Sequence, residues 1–184
     1  MSPPSRKSSR RRQAVHAVVE LAGLFVPEDA TLANEVELAA TDSLTYAKSF
    51  RQRMALRIID SDEPDLPWLA LVDGLIDRGR LVEFDWKEDP AAVIRQLDPL
   101  LKSRVASWSW SWLKRLSTWQ ELPTDKLLMR IGDQLPSHGQ ALFCVDISSD
   151  CYPTIVCRSD IEDRATHLAK KAGFGEIFRF GSVK

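Results

Sequence analysis

Cysteine, histidine and glycine are sparse in this chain of 184 residues, which holds three, three and eight of them. An odd number of thiols argues against a framework of structural disulfides and fits a reducing compartment. The histidines, His16, His138 and His167, are too scattered for a zinc site. No glycines fall in a GxGxxG or GxxxxGK arrangement, so the phosphate-cradling loops of nucleotide enzymes are missing, and neither a cofactor nor a metal is expected. No window approaches the roughly 18 apolar residues that a membrane span needs. A basic stretch ahead of residues 14–26 has the outline of a signal peptide. However, His16 and Glu20 interrupt its apolar run and no small-residue cleavage site follows. The expectation is a cytoplasmic protein with no membrane partner.

What is present is a globular composition, 44% hydrophobic and 28% charged, long enough to bury about 70% of the surface an unfolded chain exposes. Charge is unevenly spread. Arg6, Lys7, Arg10, Arg11 and Arg12 carry +5 in the first twelve residues, leaving 20 basic against 26 acidic side chains elsewhere, a net −6. That basic segment has no large apolar side chain, so residues 1–12 read as a disordered tail and residues 13–184 as a single α+β domain. Short basic arms can bind phosphates, which makes the tail a candidate nucleic-acid contact.

Apolar spacing predicts a helical N-terminal half. Ala14, Val15, Val18, Leu21, Ala22 and Phe25 share one helix face that stops before Pro27. A second helical stretch opens near Thr31 with Leu32, Val36 and Ala40. It breaks near Asp42 and continues with Ala47, Phe50, Met54 and Ile58 on one face and arginines on the others. The acidic, proline-containing residues 60–67 end it. A third helix carries Trp68, Leu71, Val72, Leu75 and Ile76 inward and stops at Gly79.

From Leu81 the period changes to two, with Val82, Phe84 and Trp86 on one side and Glu83, Asp85 and Lys87 on the other, the pattern of a strand with one polar face. Asp89 and Pro90 then suit a helix start ahead of Val93, Leu97, Leu100 and Leu101. A further helix is expected over residues 124–135. The β-prone runs 140–147 and 152–157 read as a hairpin in which Cys144 and Cys157 lie nearly opposite each other. Ser159 and Glu162 form a capping-box pair before a helix ended by Gly173, and residues 176–180 make a last strand. Together these give an α+β fold with a small mixed sheet of about four strands, including a C-terminal hairpin, covered by helices.

Leu71-Val72-Asp73, Glu83-Phe84-Asp85-Trp86-Lys87-Glu88 and Asp150-Cys151-Tyr152-Pro153 occur in this order. Over about residues 68–173 the chain thereby resembles a bacterial family catalogued only as a domain of unknown function. The resemblance implies a bacterial intracellular α+β domain and carries no activity or functional residues with it.

Two constellations carry chemistry. Pro64-Asp65 followed by Asp85-Trp86-Lys87 matches in letters the metal-dependent nuclease pattern, in which two carboxylates hold Mg²⁺ and a lysine orients the attacking water. Asp65, however, stands where a helix opens, an ordinary N-cap position, and Glu83, Asp85 and Lys87 suffice as a solvated strand face. Trp108, Trp110 and Trp112 alternate with serines and would make a stacking platform if extended. Helical spacing of Val105, Trp108, Trp112, Leu116 and Trp119 fits better, leaving Trp110 as the exposed indole. No spacing joins Cys144, Cys151 or Cys157 to a histidine as a nucleophile pair. The leading reading is therefore a non-catalytic protein-binding or regulatory module, with Glu83, Asp85 and Trp110 as candidate binding residues and a protein partner expected ahead of nucleic acid. A metal-dependent hydrolase using Asp65, Asp85 and Lys87 comes second, and a nucleic-acid-binding accessory protein third.

Overall fold

The computed structural model describes the backbone of residues 6–116 and 118–182, and side chains over 9–113, 115–116 and 118–182. The chain divides into two compact units: one runs up to Asp77 and takes in Asp163–Glu176, the other comprises Arg78–Glu162 and the chain from Ile177. Each contains an apolar core of its own.

The first unit is helical: α1 (Arg6–Phe25), α2 (Ala30–Thr41), α3 (Ser43–Ser49), α4 (Arg51–Arg57), α5 (Leu66–Asp77) and α8 (Glu162–Ala172). Within the segment read as a disordered tail, α1 begins at Arg6; residues 1–5 lie outside the described residues. Arg11 lends a physical reason, since its guanidinium donates to the carbonyl of Ala40 at 3.4 Å and ties the start of α1 to the end of α2. Asp42 explains the break between α2 and α3. Its backbone N–H closes the last turn of α2 on Leu38 while its carboxylate accepts the amide of Thr45. Leu21, Leu32, Val36, Trp68, Leu71 and Leu75 are fully buried, and α1, α2 and α5 pack on one another.

The second unit holds a four-stranded sheet in the order β1-β3-β2-β4, formed by β1 (Leu81–Asp85), β2 (Gln140–Asp146), β3 (Cys151–Arg158) and β4 (Glu176–Phe180). The β1–β3 and β2–β3 pairings are both antiparallel. Helices α6 (Pro90–Arg104) and α7 (Thr124–Gly132) pack on it, α6 against β1 and β3 and α7 against β2. Asp89 caps α6 by accepting the amide of Ala92, with Pro90 in the first turn, as its sequence indicates. Phe84, Leu97, Leu101, Leu127, Leu142 and Val156 lie at the centre of this core. Pro153 sits in β3 without a backbone hydrogen to give, and the β2–β3 ladder ends at the next residue, Thr154.

Several boundaries differ from the sequence reading. β1 stops at Asp85, because the Asp85 carboxylate accepts the amide of Lys87 and its carbonyl that of Glu88, closing a turn. Lys87 therefore does not share the strand face, and Trp86 is exposed instead of inward. Two 3₁₀ turns, Trp110–Arg115 and Trp119–Glu121, stand where an α-helix was expected. α7 ends at Gly132. Ser159 opens a 3₁₀ turn and its hydroxyl donates to the Gly139 carbonyl, so it does not cap α8. In the hairpin, Asp146 accepts the amide of Ser148, which adopts a positive φ of 57°. That turn sets a register in which Cys144 faces Thr154 and Cys157 faces Ala141. The expected pairing of the thiols is offset by three residues, an odd number, which puts them on opposite sheet faces.

Candidate functional site

Asp65 lies immediately ahead of α5 in the first unit, its carbonyl accepting the amides of Trp68 and Leu69. Asp85 and Lys87 belong to the second unit. The Asp85 carboxylate is engaged by its own turn, and the Lys87 ammonium lies 4.1 Å from the centre of the Trp86 ring. Among the described residues, no group of three or more His, Cys, Asp or Glu side chains is placed to hold a metal ion.

Glu83 is half-buried on β1 opposite Pro153. Burial pushes the Cys151 thiol up, and the charge of Glu83, which also accepts its hydrogen bond, adds to the rise. Trp110, expected to be the exposed indole, is half-buried: its N–H donates to Asp98 at 2.7 Å, and its ring meets Trp108 edge-on at 5.3 Å. These contacts give Trp110 a packing role. Cys144 and Cys157 are buried, and desolvation pushes each thiol up to about 12. A thiol so raised is protonated near neutrality and is a poor nucleophile.

The residues that stand out physically are on α4. Sequence periodicity placed Ile58 inward and the arginines outward; the structure reverses both, with Arg53 buried and Ile58 91% exposed. Arg53 joins four helices. Its guanidinium donates to Glu35 of α2 at 2.8 Å, to the Tyr46 hydroxyl of α3 at 3.2 Å and to Asp77 of α5 at 2.7 and 2.9 Å, and it stacks on the Phe50 ring at 4.3 Å. Burial works against its charge, but the hydrogen bonds it donates to Tyr46, Glu35 and Asp77 outweigh it, and its pKa is raised. Burial likewise raises the Tyr46 phenol, against the opposing pull of Arg53. One turn on, Arg57 donates twice to Asp73, at 2.9 and 2.6 Å, an ion pair largely withdrawn from solvent. Asp73, the acid of the Leu71-Val72-Asp73 motif, thereby holds the end of α4.

That end is a Schellman-type stop. The amide of Ile59 reaches the carbonyl of Met54, the amide of Ile58 that of Ala55, and Ile58 itself is left-handed, at φ 56° and ψ 46°. The position normally belongs to glycine. A β-branched residue there costs about 1–2 kcal/mol, and Ile58 recovers none of it by burial. Leu56 beside it is 85% exposed. Directly after Ile59 the chain displays Asp60, Asp62, Glu63 and Asp65, three of them exposed. A rigid, ion-paired platform thus presents two aliphatic side chains beside a run of carboxylates, an arrangement suited to contact and lacking a reacting pair. Sequence reasoning missed it; the available signal was a helix ending before an acidic patch with isoleucine where glycine or asparagine belongs.

No curated protein and no solved structure matches the chain. A family model does, from residue 17 to residue 181, so the match takes in both units, the α4 platform and the three segments that carried the resemblance. The chain belongs to the family described as Domain of unknown function (DUF6630).

Proposed function

We propose that this chain is a non-catalytic protein-binding module of the bacterial cytoplasm, and that the end of α4 is its docking point. The observation that carries the reading is Ile58, a β-branched side chain held in a left-handed conformation and left 91% exposed. Strained residues persist where the surroundings over-determine them, and they cluster at sites of function. Here the surroundings are the Arg57–Asp73 pair and the Arg53 network, which fix α4 from both sides of Leu56. A partner contributes the complementary chemistry: an apolar surface to cover Leu56 and Ile58, and basic side chains to meet Asp60, Asp62 and Glu63. The negative charge of the chain beyond its first twelve residues supports the same choice of partner.

In-cell photo-crosslinking from position 56 tests this proposal. The expected result is a covalent adduct of one discrete mass that is lost in Ile58→Asp. Absence of any adduct, or an adduct equally strong in Ile58→Asp, contradicts the docking role.

A further inference from the structure

The partner chemistry just described is present on the chain itself. A groove of about 610 Å³ runs beside α1 and α2, lined by Arg11, Arg12, His16, Thr41 and one acid, Glu37, over an apolar floor of Val15, Val19 and Ala40, so that its two arginines outweigh the single carboxylate. It offers the basic and aliphatic groups that the acidic, aliphatic end of α4 requires. Both surfaces lie in the first unit. They also share a wall: Arg11, Val15 and Ala40 line a second cavity of about 200 Å³ whose other side is Ser61, Asp62, Glu63 and Pro64. The basic, apolar groove and the acidic segment Asp62–Glu63 therefore adjoin across this cavity. Two neighbouring surfaces of opposite character are what a two-fold interface needs, because each copy then offers both halves of every contact.

We infer that the docking surface at the end of α4 takes a second copy of this chain, the acidic segment after Ile58 of each copy seating in the Arg11–Arg12 groove of the other. This rests on the protein-binding reading above. Aliphatic contact of Leu56 and Ile58 with Val15 and Val19 supplies burial, and the pairing of Asp60 and Asp62 with Arg11 and Arg12 fixes orientation and rejects the unrotated alternative, which would bring like charges together.

Sedimentation velocity of the full chain over a concentration series tests it. The wild-type chain is expected to sediment as a dimer that weakens as salt rises. Arg12→Glu and Asp62→Arg are each expected to be monomeric, with association at least tenfold weaker. In an equimolar mixture of the two variants both reciprocal pairs are again opposite in sign, so the dimer mass returns. A wild-type chain monomeric throughout, or variants that stay monomeric when mixed while each remains folded by circular dichroism, overturns the inference. If the wild type is monomeric while position 56 still yields an Ile58-dependent adduct with another protein, self-pairing falls and the docking reading stands. If neither dimer nor adduct is found, both fall.

Discussion

The two units differ in how fully they satisfy their buried polar groups. In the helical unit the buried Arg53 guanidinium and the Arg57–Asp73 pair are hydrogen-bonded to named partners on α2, α3 and α5. In the sheet unit, Arg179 pairs with Glu162 at 2.8 Å, but Arg104 Nε, Trp108 Nε1, Trp112 Nε1, Gln140 Oε1 and Arg179 Nε are buried with no partner among the described residues. Its strength comes instead from apolar packing of Phe84, Leu97, Leu127, Leu142 and Val156 around the sheet. A buried ion network contributes little net stability, since desolvation offsets its attraction, but it fixes geometry and is costly to break. An apolar core offers no partners to an introduced polar group and resists changes of volume. The helical unit therefore has the construction of a positioned surface, and the sheet unit that of a scaffold.

The sharpest way to break this contrast is Arg53→Ala, which strands Glu35 and the Tyr46 hydroxyl. Denaturant unfolding should show a loss of about 3 kcal/mol, and a loss below about 1 kcal/mol would place Arg53 outside the structural network. In the sheet unit the matching test is volume. A Cβ on Gly132 would lie 2.2 Å from the carbonyl oxygen of Phe180, where backbone meets backbone, so Gly132→Ala should cost about 2 kcal/mol. Ile58→Gly should act in the opposite direction, raising stability by about 1 kcal/mol as the left-handed strain is relieved, while weakening capture of the partner.

The thiols sharpen the comparison through pH. Cys144 and Cys157 are raised from an ordinary value of 9.0 to about 12. A thiol whose folded pKa lies above its unfolded one stabilises the fold below the unfolded value and ceases to do so as pH rises towards the folded value. Stability of the sheet unit should accordingly fall between pH 9 and 12, and alanine at both positions should flatten that fall. On the native fold at pH 8, a maleimide should modify the half-buried Cys151 before either of the others. The smallest effect belongs to Asp85→Ala, which removes one turn hydrogen bond on an exposed residue and should cost less than about 1 kcal/mol.

The fold was legible where local signals and periodicity agree. Asp89-Pro90 start α6, Gly79 follows α5 at a φ of 61°, and residues 176–180 form β4 as their alternation indicates. It was illegible where tertiary contacts override period. Arg53 looks like a surface arginine until Glu35, Tyr46 and Asp77 are brought around it from 18, 7 and 24 residues away. The hairpin register depends on the Asp146–Ser148 turn, which composition alone does not fix. The basic segment has the composition of a tail, and the contact of Arg11 with Ala40 is a tertiary anchor for its helix that composition does not show. Of the site residues picked from sequence, Asp65, Asp85, Lys87, Glu83 and Trp110 owed their prominence to short letter patterns or to aromaticity. Ile58 leaves only the faint sequence signal of an isoleucine at a helix stop, and its backbone angle and exposure are what single it out.

The most direct measurement of the docking account compares capture of the position-56 adduct by the wild type and by Ile58→Asp at equal concentrations of folded protein, with unfolding midpoints recorded in parallel. The account expects capture to fall at least tenfold while the midpoint is unchanged or higher. Capture at the wild-type level by a folded Ile58→Asp variant would contradict it.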